Sequence, residues 1–118
     1  RKPPSWGHET KLRATWLLLR LEGRRQGGTN RVFNRLQQAE AGMHHVTESY
    51  FWIQMVSFCD ASMADTAVCF EDFICHDRCK QLLDPRLILK HYSDGVLAEG
   101  ASEFRLPDMQ PLPSVVPK

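Results

Sequence analysis

Long apolar runs are missing from this sequence: they stop at four residues, as in Trp16 to Leu19, far short of the roughly 20 that cross a bilayer. No membrane-spanning helix and no membrane partner are therefore expected. Charge of one sign is also lacking, since 15 Lys and Arg face 14 Asp and Glu for a net charge of +1. That balance argues against nucleic acid as a partner, because phosphate binding needs several uncompensated cations on one face. The basic cluster of Arg20, Arg24, Arg25 and Arg31 flanks a Gly-rich loop and reads mainly as solvated charge. Alternation of the kind that marks strands does not run for a useful length, and no internal repeat is visible. The chain begins at Arg1, and none of its stretches reads as a targeting segment.

Cysteine is sparse. Cys59, Cys69, Cys75 and Cys79 fall within 21 residues without a disulfide-like pattern, so reduced thiols in a cytoplasmic protein are expected. Cys69, beside Phe70, reads as a small core residue.

What is present is helical spacing. Leu12, Trp16 and Leu19 form one stripe in a first helix that His8 begins and Gly23 stops. Thr29 or Asn30 is the expected cap of a second helix, whose Val32, Leu36, Ala39 and Met43 recur at helical spacing, with a break at Gly42. A third, from about His45 to Asp60, is apolar around so much of its circumference that it belongs at the centre. A fourth is expected from Ala67 to Lys80, and Asp84 with Pro85 opens a short fifth one. Four prolines, Pro107, Pro111, Pro113 and Pro117, keep the end of the chain out of any helix. The expected architecture is all-α: a compact bundle of four to six helices in one domain, residues 1–106, with an extended Pro-rich tail, residues 107–118, lying along it through Leu112, Val115 and Val116.

Five histidines are the first candidates for chemistry, since imidazole exchanges protons near neutral pH and binds metals. His8 and His45 each begin a helix on a core-facing line, so packing of helices one and three would bring them together with Glu9, Glu48 and Ser49 nearby. The plainer alternative is that each caps its helix or satisfies a carbonyl. His44 is expected at the helix edge with Glu48. A metal site is a further alternative, because His45 and Glu48 have the i, i+3 spacing of bundle ligands, although a second such pair is missing. Cys75, His76 and Cys79 in CHDRC lack the CxxC spacing of zinc sites and read as a helix with both cysteines on one face. Cys79, between Arg78 and Lys80, is the best placed of the four thiols for a nucleophile.

Three fragments, HETKLRATWLLLR, HHVTESYFW and LLDPRLILKHYS with PDMQPLP, resemble in that order a family of short, mostly uncharacterised bacterial proteins. That family's pattern is HxxHLRxAW, then YHETxT with an aromatic pair, then PDxxPLP. Its first His falls on His8, its second on Lys11, its Tyr-His pair on His44 and His45, its Glu on Val46 and its two Thr on Thr47 and Ser49. The resemblance retains His8, Arg13, His45, Thr47 and Ser49 and implies no particular reaction.

Three functions follow as expectations. The first is a cofactor-free enzyme, an isomerase, cyclase or lyase acting on a mostly apolar small-molecule substrate, with His45 and His8 moving protons. Arg13, Thr47, Ser49, Trp16, Trp52 and Tyr50 would then line the pocket. The second is a helical binding or assembly module using its tail and aromatic surface, with a homodimer as one form. The third is a metal-dependent bundle enzyme with a metal at His8, His45 and Glu48.

Overall fold

The stripe of Leu12, Trp16 and Leu19 organises the first element. In the computed structural model, which describes residues 7–23, 28–40, 45–62, 69–76 and 79–111, α1 runs His8–Leu18 and buries Leu12 and Trp16 together with Thr15. A wider π-helical turn, Leu19–Gly23, continues it and keeps Leu19 in the core. The second helix, α2, is Gly28–Glu40 and begins ahead of Thr29 and Asn30, the residues expected to cap it. Its buried line is Gly28, Val32, Leu36 and Glu40, every fourth residue, so Ala39 is exposed and a carboxylate takes the place expected of an apolar side chain. Gly42, Met43 and His44 lie outside the described residues, as do Arg24 and Arg25.

The central helix is α3, Val46–Ser62. It buries Thr47, Ser49, Phe51, Trp52, Ile53, Met55, Val56 and Cys59, which cover most of its circumference and leave one face, with Tyr50 and Gln54, partly exposed. His8 meets Trp52 and Trp16 meets Asp60, the same offset of 44 residues, so α1 and α3 run in the same direction. Between them α2 runs back: Arg31 and Arg35 near its start meet Glu22 beyond α1, and Glu40 at its end meets Lys11 near the start of α1. The frame is an up-down-up triple of helices.

The expected fourth helix is cut short. α4 is Phe70–Cys75 and ends where His76 turns to an extended conformation (φ −66°, ψ 138°). Phe70 and Phe73 pack on Trp16 at 6.2 and 5.8 Å between ring centroids, which fixes α4 against α1. Cys69 is exposed ahead of the helix rather than in the core, Cys75 is exposed, and Cys79 is buried on the next element. The two cysteines of CHDRC therefore do not share a helix face. Two 3-10 segments follow, Lys80–Leu83 and Pro85–Lys90. The second has the expected cap: the Asp84 carboxylate accepts the Arg86 N–H at 3.0 Å, and Pro85 sits where no N–H is needed. Ser93 then caps a last short helix, α5, Asp94–Glu99.

Beyond α5 the chain leaves regular structure and returns across the domain as a strap, residues 101–111. Leu112, Val115 and Val116 lie outside the described residues. The described residues contain no strand and no helix long and apolar enough to cross a membrane. The radius of gyration, 13.7 Å, is close to the about 13.3–13.6 Å of a compact domain of this length. The protein is all-α, a compact helical bundle.

Candidate functional site

The N-terminus of α3 shows what His45 does. A helix leaves its first N–H groups without partners. Here the Val46 N–H donates to the Ala101 carbonyl at 2.9 Å and the Thr47 N–H to the Gly100 carbonyl at 3.0 Å. The Glu48 N–H donates to Nδ1 of His45 at 3.1 Å, and the Ser49 N–H reaches the His45 carbonyl at 3.0 Å. His45 is the cap. Its Nδ1 accepts, so Nε2 carries the proton and donates to the Leu97 carbonyl at 2.8 Å. Both ring nitrogens are engaged with backbone, and the side chain is half-buried rather than at the head of a core line.

His8 sits elsewhere. Its Nε2 is 2.7 Å from the Leu82 carbonyl, and its ring meets Trp52 edge-on at 4.5 Å. The two histidines thus hold two different carbonyls, on the first 3-10 segment and on α5, and no contact joins them. Arg13 faces outward, paired with Glu71 and lying over the Phe70 ring at 4.7 Å, so it does not enter a shared pocket. Its bond to Glu71 lowers the Glu71 carboxyl and raises the guanidinium. Trp16 and Trp52 are buried in the core, where the Trp16 indole N–H donates to Asp60 at 3.0 Å. Arg20 binds the same Asp60 oxygen at 2.8 Å, and Arg31 binds Glu22 at 3.2 Å, so both described members of the basic cluster are paired.

Ser49 does belong to a polar cluster, with partners sequence reasoning did not single out. Lys11 Nζ donates to both Glu40 oxygens and to Ser49 Oγ, each at 3.1 Å. These contacts make Lys11 and Glu40 an ion pair with the Ser49 hydroxyl beside it. Glu40 is almost fully buried, with its side chain 3% exposed. Lys11 supplies the cluster's positive charge. Glu40 had a signal in the sequence, its place four residues after Leu36; Lys11 had none beyond its spacing from His8.

Thr47 anchors the strap. Its Oγ1 donates to the Glu103 carbonyl at 3.2 Å and accepts the Arg105 N–H at 3.0 Å. Further along, the Tyr92 hydroxyl donates to the Arg105 carbonyl at 2.9 Å and the Met109 N–H to the His91 carbonyl at 3.0 Å. His91 Nδ1 lies 2.8 Å from the Gln110 carbonyl, and the Ser93 N–H donates to Asp108 at 2.8 Å; the Ser93 hydroxyl first and this N–H second lower the Asp108 carboxyl. The strap is held through its backbone and polar groups. Of its large apolar side chains, Leu106 is 75% and Met109 57% exposed, while Phe104, 40% exposed, meets the Tyr50 ring.

Tyr50 is where strap and bundle make a surface. Its ring stacks on Phe33 of α2 at 4.2 Å with 11° between planes, and Phe104 of the strap stands nearly perpendicular to it, at 5.5 Å and 80°. An open groove of about 260 Å³ is lined by Tyr50 and Phe104. A second cleft of about 240 Å³, lined by Glu22, Arg31, Asn34, Arg35 and Gln38, is polar, and Glu22 holds both of its arginines.

Among the described residues no three His, Cys, Asp or Glu side chains come together as a metal set, so His8, His45 and Glu48 do not form one. Cys79 is fully buried, and burial pushes its thiol up to about 12, opposite to what a nucleophile needs. Its neighbour in space is Cys59, a second free thiol, raised by burial in the same way. No protein-family model, curated protein or solved structure matches the chain.

Proposed function

We propose that this chain is a helical interaction domain whose recognition surface is the Tyr50–Phe104 groove and the strap beside it. One observation carries this. A strap that only closes the fold would turn its apolar side chains inward, yet this one fastens itself with polar and backbone bonds and presents Phe104, Leu106 and Met109 to solvent. Exposed apolar groups fixed on a braced segment mark interaction sites. The groove, at about 260 Å³, is smaller than the about 300–1,000 Å³ of small-molecule pockets and suits one large side chain of a partner polypeptide, the anchor geometry of interface hot spots.

Peptide display against the immobilised chain tests it. Selected peptides should share one bulky anchor residue and lose binding at least tenfold to Phe104→Ala or Leu106→Asp while keeping it with Leu89→Asp, an exposed control on the second 3-10 segment. Peptides indifferent to the strap substitutions would sink the reading. Light scattering of the free chain separates off the case in which the partner is a second copy. A cytoplasmic setting, with Cys59 and Cys79 as thiols, accompanies this reading.

The acid/base reading retains one supporting observation: the buried charges of Lys11 and Glu40 lie with Ser49, one turn from His8 on α1. It needs a substrate opening at His8 and a proton carrier other than His45, whose nitrogens hold the α3 cap.

A further inference from the structure

We propose that Cys59 and Cys79 form a disulfide site, which a small-molecule disulfide oxidant closes into a bond that staples the first 3-10 segment to α3. The two thiols come from different elements: Cys59 lies in the last turn of α3, and Cys79 stands just ahead of the Lys80–Leu83 segment. They are almost fully buried, 2% and 0% exposed, and their sulfurs are hydrogen-bonded to each other. The chain between them carries α4 and returns to the same point in the core.

A cysteine buried only as a small apolar side chain packs against carbon. Here two backbones 20 residues apart bring thiol to thiol, and closing the pair leaves a group with no proton and no need of a partner in the core. The other two cysteines have no such arrangement. Cys69 and Cys75 are exposed at opposite ends of α4, six helical steps and so about 9 Å apart along its axis, beyond the about 7 Å that a disulfide spans between Cα atoms.

Burial raises both thiols, Cys79 up to about 12, so the packed pair holds almost no thiolate and reacts when the 3-10 segment opens. In the opened chain Cys79 gives up its proton and attacks one sulfur of the oxidant, forming a mixed disulfide and releasing a thiolate that takes a proton. Cys59, deprotonated in turn, attacks the Cys79 sulfur and expels the other half of the oxidant as a second thiol. Two protein thiols are oxidised, one small disulfide is reduced to two thiols, and the protein loses two hydrogens. A reducing thiol pool keeps the site open.

The test uses the full chain and its Cys69→Ser/Cys75→Ser variant, which removes only the exposed thiols. Both are equilibrated with oxidised and reduced glutathione in sub-denaturing urea, then unfolded, alkylated and mapped by mass spectrometry. The variant should lose two hydrogens, carry no glutathione and yield one peptide pair joined through Cys59 and Cys79, which dithiothreitol separates. Closing the loop from 59 to 79 should lower the unfolding equilibrium constant by on the order of 100-fold. In the full chain the same bond should form ahead of any bond to Cys69 or Cys75. A lasting glutathione adduct in its place, a pair still reduced in excess oxidised glutathione, or a bonded form that unfolds more readily than the dithiol form overturns the proposal.

Discussion

Replacing Gly100 with alanine tests whether the strap is truly fastened to α3. Gly100 has φ −84° and ψ 6°, which any residue adopts, so backbone strain plays no part. Contact does: a Cβ there would lie 2.3 Å from Thr47 Oγ1 and 2.8 Å from Thr47 Cβ, distances that no buried pair tolerates. Thr47 is fully buried, so the chain at 100–105 must lift away. Lifting it breaks the bonds from the Val46 and Thr47 N–H groups to Ala101 and Gly100 and the one from Arg105 to Thr47. At about 0.5–1.5 kcal/mol for each of the three, Gly100→Ala should cost about 1.5–4.5 kcal/mol. Gly95 is the internal control, because nothing lies within 4 Å of its Cβ position and it sits inside α5, where alanine is favoured by about 0.5–1 kcal/mol. Urea unfolding monitored by circular dichroism measures both. Thr47→Ala should also cost less in the Gly100→Ala background than alone, since it removes the nearest clashing atom. If the two glycine variants unfold within about 0.5 kcal/mol of each other, the scatter of ordinary surface substitutions, the docked strap is refuted.

Lys11→Met, which strands the Glu40 carboxylate, should destabilise by about 3–5 kcal/mol, and adding Glu40→Leu should recover most of that loss in the same urea assay. His45→Ala should cost about 1 kcal/mol as a lost cap, with His45→Asn costing less because its side-chain oxygen still accepts the Glu48 N–H; an equal loss in both would contradict capping. Iodoacetamide at pH 8 should label exposed Cys69 and Cys75 quickly and leave Cys59 and Cys79 untouched in the native protein, as mass spectrometry will show. Since burial raises the Cys79 thiol from 9.0 to about 12, its contribution to stability is complete below pH 9 and is lost as pH rises toward 12, so Cys79→Ala should flatten the alkaline side of the stability curve.

What was legible in the sequence was local and periodic. Leu12, Trp16 and Leu19 declare one buried face, the apolar girth of residues 46–60 declares a central helix, and Asp84–Pro85 declares a cap, because each depends on neighbours within a turn or two. The rest depended on partners far along the chain. Lys11 and Glu40 are 29 residues apart, and a charged residue on a helix reads as solvated until its counter-ion is seen. His45 looked like the head of a core line because its spacing is right; that it caps α3 and reaches Leu97 is decided by a segment 52 residues on. The end of α4 was missed because Cys75 and Cys79 continue a helical spacing that the backbone abandons at His76. The apolar docking expected of the tail falls on Leu112, Val115 and Val116, outside the described residues. The described strap before it docks through Thr47, Tyr92, His91 and Ser93, partners far away in the chain that no local spacing announces, with Leu106 and Met109 left to the surface.

The most direct test of the interaction surface is an NMR screen of short peptides and small fragments against the full chain, with binding mapped by amide shifts. Hits should converge on Tyr50, Phe104, Leu106 and Met109 and leave His8, Lys11 and Ser49 unmoved. Convergence on His8, Lys11 and Ser49 instead would contradict the interaction surface and return the chain to an enzyme built on the buried Lys11–Glu40 pair.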